Sequence, residues 1–226
     1  KDQAWFIPQE GKFIVCVDLT NFNMTYYEVP YRYMNPVKKK RIFTVYSGGM
    51  VYEEKYLCLI PYDVDAVTVI DMEKHVITPY YGINTEDNKK TVGAVYDNNC
   101  LTVLFDNAES CKRISLQSGE VEQLPWCEGE ECISVSAEGQ KVWFAARTPR
   151  YIVEYNLKTC AKQKILCEQT QDQYSEVVDL GSKLVFLPLS AANFLILDKK
   201  DKTVVKETFG HEEIFSSKLN KVMPIG

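Results

Sequence analysis

This sequence predicts an all-β protein in which one four-stranded antiparallel unit is used five times, and three observations predict it. Apolar segments recur with the same punctuation, a pivot residue that ends one strand and a polar turn former ten positions later: Pro8 and Asp18, Pro61 and Asp71, Phe105 and Ser115, Ala146 and Asn156, Pro188 and Asp198. Successive pivots lie 53, 44, 41 and 42 residues apart, the period of a unit of four short strands rather than of paired helices. Helical periodicity is sustained nowhere, while β-branched and aromatic residues fill the stretches between Gly, Ser, Asn, Asp and Lys turns.

Taken in order, the first unit opens with "KDQAWFIP" as a second strand, runs through a third strand to Asp18 and closes its fourth at Pro30. Residues 31–47, "YRYMNPVKKKRIFTVYS", form an insertion that accounts for the long first interval. In the second unit "YLCLIP" stops at Pro61, where a strand N–H is no longer needed; the chain resumes to Asp71 and closes at Pro79. The third unit stops at Phe105, turns at Ser115 and closes at Pro125. Proline at the end of a fourth strand suits an outer edge, whose far side has no hydrogen-bonding neighbour. The fourth unit pivots at Ala146 and turns at Asn156. All four strands are legible in the fifth, as "YSEVVDLG", "SKLVFLP", "FLILD" and "TVVKETFG". The last residues, "LNKVMPIG", match the first of these, so the two termini are expected to complete one unit, with residues 220–225 beside 5–8. The pivot interval across that join is 46.

Four-stranded meanders at this period resemble the blades of a β-propeller, and the resemblance covers nearly the whole chain. The WD dipeptide, the kelch double glycine and the near-identical repeats of five-bladed lectins are absent, so the resemblance is to an architecture. It implies a five-bladed propeller spanning residues 1–226 as one domain, its ring closed by pairing the N- and C-terminal strands. It also implies that the second-to-third and fourth-to-first connections gather on one face around a central channel, where such folds bind ligands.

On that face the connections "PYDVDA" and "ARTPRY" supply Tyr62, Asp63, Asp65, Arg147 and Arg150, and the blade-to-blade segments supply Tyr80, Tyr81 and Trp126. Tyr and Trp combine a large apolar ring with a polar tip, and Arg grips carboxylate or phosphate through two parallel bonds. These eight residues are the expected ligand-binding set. Asp63 and Asp65 lack the further oxygen ligands and the glycine of a calcium loop. The opposite face, with turns such as "DMEK", "LQSG" and "DKKD", is short and polar and is expected to grip little.

The chemistry of the remaining residues points away from catalysis. Two histidines in 226 residues leave no pair for metal or relay, and no nucleotide, nucleophile-elbow or zinc-protease motif occurs. No cofactor, metal or catalytic residue is expected. The reading is therefore a binding or scaffolding propeller for a protein, peptide or glycan. The alternatives are a lectin, or a glycoside hydrolase working with carboxylates at a central pocket, for which Glu131, Glu176 and Asp179 are the inner-strand candidates.

A net charge of −5 argues against nucleic acid and anionic lipid as partners. Lys38–Arg41 is the one dense basic run and reads as a solvated insertion. No apolar segment approaches the length needed to cross a bilayer, so no membrane insertion is expected; oligomeric state is open. The eight cysteines fall mostly in apolar segments without CxxC spacing, as reduced buried thiols do, which favours a cytoplasmic location over a secreted or surface one. Lys1 opens the sequence with no basic and apolar leader before the first strand, which reads as a mature or excised chain.

Overall fold

The structure, a computed structural model, describes residues 2–8, 11–30, 45–62, 64–83, 91–106, 109–126, 134–145, 151–167 and 174–208. They form five antiparallel sheets. The first blade holds β1 (Gln3–Phe6), β2 (Phe13–Asp18) and β3 (Met24–Glu28), and the second β4 (Tyr46–Tyr52), β5 (Tyr56–Pro61), β6 (Ala66–Asp71) and β7 (Val76–Tyr81). The third holds β8 (Thr91–Asp97), β9 (Cys100–Phe105), β10 (Ser110–Ser115) and β11 (Val121–Pro125), and the fourth β12 (Ser136–Glu138), β13 (Lys141–Ala145), β14 (Tyr151–Asn156) and β15 (Lys162–Leu166). The fifth holds β16 (Tyr174–Asp179), β17 (Lys183–Pro188), β18 (Asn193–Asp198) and β19 (Val204–Thr208). Every sheet is a meander in sequence order.

The burial of each strand follows its place in the meander. In β5, β6 and β9 five of six residues are buried, as befits strands covered on both faces. The fourth strands β3, β7 and β15 are largely exposed or half-buried, as outer edges are.

All five turn formers end third strands, and each organises the hairpin that follows. The side chains of Asp18, Asp71, Asn156 and Asp198 accept the amides of residues two or three positions on, at 2.8 to 3.4 Å, and the Ser115 hydroxyl accepts the amide of Ser118 at 3.2 Å. This is how short polar side chains mimic a turn. The fourth residue on is left-handed in every blade: Phe22 (φ 60°), His75 (57°), Gly119 (75°), Cys160 (57°) and Lys202 (62°). Only the third blade uses glycine, the residue that meets no steric penalty there.

Three of the five pivots end strands as the sequence places them: Pro61, Phe105 and Pro188 close β5, β9 and β17. Each of the three pairs with the opening residue of its first strand, Tyr46, Thr91 or Tyr174, after which the register shifts by a bulge. Ala146 lies outside the described residues, and β13 runs up to the residue before it. The remaining pivot differs from expectation, for β1 ends at Phe6, two residues short of Pro8. Two other boundaries differ as well. Pro79 lies inside β7 rather than at its end, paired with Thr68, which an edge strand tolerates. Tyr46 and Ser47, counted with the insertion, begin β4, and Tyr46 is fully buried. The expected closing strand, residues 220–225, and residues 31–44 of the insertion lie outside the described residues; among those described, the first blade has three strands.

The chain divides into two compact units, residues 1–105 with 111–124, and residues 106–110 with 125–226. In the first, Ile14, Val45, Tyr46, Leu57, Leu59 and Ile70 form a core where the first two blades meet, with Trp5, Ile7 and Tyr27 against it. Gly49 belongs to that seam: a Cβ there would stand 2.6 Å from Ile7 Cδ1 and 3.1 Å from the Cys58 carbonyl oxygen. In the second, Trp143, Ile152, Ile165, Leu184, Phe186 and Leu195 form the core between the fourth and fifth blades.

Candidate functional site

The arrangement with most chemistry in the first unit begins with a repeat that places two tyrosines on successive blades. Tyr52 and Tyr96 each stand nine residues before a pivot, Pro61 and Phe105, at the ends of first strands that pack side by side. Their rings stack at 4.2 Å with planes 21° apart. Tyr56 is the cross-strand partner of Tyr52 in the β4–β5 hairpin and adds a third ring, 5.1 Å from Tyr52.

Two hydroxyls bridge the seam. Tyr96 donates to Glu53 Oε1, and Tyr80 donates to the Leu116 carbonyl at 3.0 Å. Between them lies a groove of about 660 Å³, lined by Tyr52, Glu53, Tyr56, Asp71, Lys74, Thr78 and Tyr80 of the second blade and by Tyr96, Asn99, Leu116 and Gln117 of the third. Val76, Thr78 and Tyr80, alternate residues of one strand, all line it, so it runs about 13 Å along β7.

The electrostatics of the groove make its phenols donors. Burial pushes the Tyr52 and Tyr80 hydroxyls above the usual tyrosine range, and the bond to Glu53 does the same for Tyr96. The amides of Lys74 and Glu73 hold the Asp71 carboxyl below its usual range, and Lys55 Nζ stands 3.7 Å from Asp71 and 3.2 Å from Glu73. Lys55 also lies 5.3 Å over the Tyr56 ring.

The sequence-derived set is only partly brought together. Tyr62 and Asp65 flank the β5–β6 connection, at the opposite end of β5 from Tyr56, and the Tyr62 amide donates to the Val45 carbonyl at 3.0 Å. Tyr80 and Tyr81 lie in β7 rather than in a loop, and of the two Tyr80 lines the groove. Trp126, in the second unit, is 4% exposed, packed 5.7 Å from Phe144 and edge-on to Tyr155 at 5.2 Å. Asp63, Arg147 and Arg150 lie outside the described residues. So does Glu131; of the other carboxylates weighed for hydrolysis, Asp179 is bound to Lys199 at 2.7 Å and accepts from Ser136 at 3.3 Å. The residues that sequence reasoning passed over, Tyr52, Glu53, Tyr56 and Tyr96, carried one signal: a tyrosine at the same offset in two consecutive units.

Two further seams carry polar clusters. In the first unit Trp5 stacks on Tyr27 at 5.6 Å beside His75, whose ring nitrogens meet the Tyr27 hydroxyl and Gln3; the buried Trp5 indole N–H has no partner among the described residues. In the second unit Trp143 donates to Glu154 at 2.9 Å, Glu154 pairs with Lys202, and Lys199 and Lys202 stand over the indole at 5.0 and 5.8 Å. A smaller groove of about 410 Å³ lies there, lined by Glu138, Lys141, Trp143, Asn156 and Lys199 among others. Among the described residues no three His, Cys, Asp or Glu side chains gather as metal ligands, and no helix is long and apolar enough to cross a membrane.

No protein-family model matches the chain, and no curated protein matches it in sequence. Solved structures do match in shape. Virginiamycin B lyase from Staphylococcus aureus is 12% identical with a TM-score of 0.70 over 93% of this chain and 67% of its own. A streptogramin B lyase is 11% identical with a TM-score of 0.69, over 93% and 66%. The β-propeller domain of Cps50 (Swd1) from Myceliophteria thermophila is 12% identical with a TM-score of 0.60, over 87% and 65%. The chain thus spans about two thirds of the length of these proteins. At such identities the likeness speaks for the fold alone, and together with the repeated meanders it shows that the described sheets are the blades of a β-propeller.

Proposed function

We propose that this protein is a recognition module rather than a catalyst, and that it binds its ligand, a protein, peptide or glycan, in the tyrosine groove between its second and third blades. The observation that carries this reading is the Tyr56–Tyr52–Tyr96 stack with Glu53 and Tyr80 alongside a groove of about 660 Å³. That volume falls within the range of small-ligand sites, and rigid aromatics with a few polar anchors give contact area at low entropic cost. The phenols are held protonated, and Asp71 is engaged by its own turn; both are arrangements for holding a ligand rather than for moving protons.

The test is a screen of peptide and glycan arrays with the parent, a Tyr56→Ala Tyr80→Ala variant and a Tyr62→Ala Asp65→Ala variant. The groove variant should lose about thirtyfold in affinity, about 2 kcal/mol, with its circular dichroism unchanged. Full binding by the groove variant with loss in the other would return the site to the Tyr62 end of the blade.

A further inference from the structure

We infer that the ligand of this groove is a neutral, polyhydroxylated molecule, a short oligosaccharide, with Glu53 as its principal polar anchor; the inference rests on the groove being the binding site. The first observation is a backbone outlier. Glu53 and Glu54 both have φ of 50° in the β4–β5 hairpin, a turn in which Asn, Asp and Gly are favoured and glutamate is not. The corresponding hairpin of the next blade, one residue shorter between its paired ends, places asparagine at both left-handed positions, Asn98 (φ 48°) and Asn99 (φ 59°), so a left-handed pair at this end of a blade does not require glutamate. A strained residue at a groove points to a use for its side chain. Glu53 accepts one bond from Tyr96, and an ionised carboxylate has about four lone-pair positions, which leaves capacity for ligand hydroxyls.

The rest of the wall selects against charge. The side chains of an organic cation's usual cage offer open ring faces, but here Tyr52 is sandwiched between Tyr56 and Tyr96, and the Tyr56 ring already has Lys55 near it at 5.3 Å. An anion would meet Glu53 and an Asp71 that its turn keeps charged. What the groove presents is a mixture of acceptors and donors, with Lys74, Asn99 and Gln117 lining it together with the carboxylates of Glu53 and Asp71, beside the tyrosine rings. A sugar has the complementary surface: hydroxyls around its rim that both donate and accept, and C–H faces that lie on aromatic rings. A peptide would need pockets for apolar side chains, and the apolar lining is limited to Val69, Val76 and Leu116 beside the tyrosines.

The experiment is isothermal titration calorimetry of the full chain with maltotriose, cellotriose and triacetylchitotriose, and with choline, inorganic phosphate and tetra-alanine as the competing classes. At least one trisaccharide should bind saturably with one site per chain. Glu53→Asn should weaken it tenfold or more while melting at or above the parent temperature, because asparagine suits the left-handed turn; Glu53→Gln, of equal length and still an acceptor, should weaken it less. If Glu53 serves only the turn and Tyr96, Glu53→Asn binds as the parent does, and the anchor assignment falls. Binding of no trisaccharide overturns the inference. Binding of choline, phosphate or the peptide that the Tyr56→Ala Tyr80→Ala variant loses overturns it too, yet keeps the groove as the site, whereas a trisaccharide bound equally by that variant overturns the groove itself.

Discussion

Trp126 separates the two ways of reading this fold. As an exposed loop aromatic it would anchor a ligand, and its truncation would leave the fold intact. In the structure it is 4% exposed, in van der Waals range of Phe144 and edge-on to Tyr155, while its amide donates to the Glu109 carbonyl at 2.9 Å and the Tyr155 hydroxyl donates to the Pro125 carbonyl at 3.2 Å. Truncating a buried tryptophan to alanine costs about 3–5 kcal/mol, with a cavity left behind, of which each lost aromatic pair accounts for about 0.5–1.5 kcal/mol. For a chain of this size about 1 kcal/mol moves the midpoint by about 2–4 °C, so Trp126→Ala should melt on the order of 10 °C below the parent. Trp126→Phe, which keeps a ring in the site, should recover about half of that loss. The assay is thermal unfolding followed by circular dichroism. A Trp126→Ala protein that melts with the parent refutes the burial argument.

Three further outcomes follow from single residues. Cys160 is exposed and left-handed, where the third blade has Gly119; Cys160→Gly should gain about 1 kcal/mol of relieved strain against about 0.5 kcal/mol of unfolded-state entropy, so its melting temperature should rise slightly, and a fall would count against the strain. The same variant should lose a fast phase of thiol labelling, since Cys160 departs from the reduced, buried thiols expected of most of the cysteines, while burial pushes Cys58 up to about 12 and Cys167 up to about 11 and keeps both slow. Lys199 occupies the place held by Leu19, Met72, Leu116 and Leu157 in the other blades, with its side chain 11% exposed and 2.9 Å from Glu138. Because Glu138 and Asp179 retain solvent access, Lys199→Met should cost about 1 kcal/mol and Lys199→Ala about 2–3 kcal/mol in urea unfolding; equal losses would show that the ammonium, not the packing, matters. Finally, turn hydrogen bonds hold Asp18, Asp71 and Asp198 below their usual range, so the stability they add is present above about pH 4 and is lost as the pH falls through their folded values. The melting temperature should drop between neutral pH and pH 3, and less so in Asp71→Asn, whose amide oxygen still accepts; an unchanged drop would assign acid sensitivity elsewhere.

The blades were legible because their punctuation is local. A strand that ends at its pivot and a turn former that accepts its neighbours' amides act within a few residues, so Asp71 and Asn156 announce their hairpins without knowledge of what lies opposite. Whether an aromatic side chain is a wall or a core is decided by the adjacent blade. Tyr52 and Tyr96 are 44 residues apart, and nothing near either one shows that their rings stack.

That dependence on the neighbour explains where the groove lies. Three residues before the pivot the first and fourth blades carry Trp5 and Trp143. Each of these indoles meets the left-handed turn residue of the following blade, His75 or Lys202, and seam and turn are filled together. At the seam of the second and third blades the same two places hold Cys58 and Gly119. Cys58 is fully buried, and a Cβ on Gly119 would find nothing within 4 Å. With no indole and no side chain above it, the space stays open: about 660 Å³, against about 410 Å³ beside Trp143. Neither Cys58 nor Gly119 is among the residues that line the groove, and neither carries a ring that could reach into it. Cys58→Trp, which copies the residue at the same place in the first and fourth blades, should therefore fill the groove and abolish ligand binding while the chain still folds, whereas binding that survives a folded Cys58→Trp protein would place the ligand elsewhere.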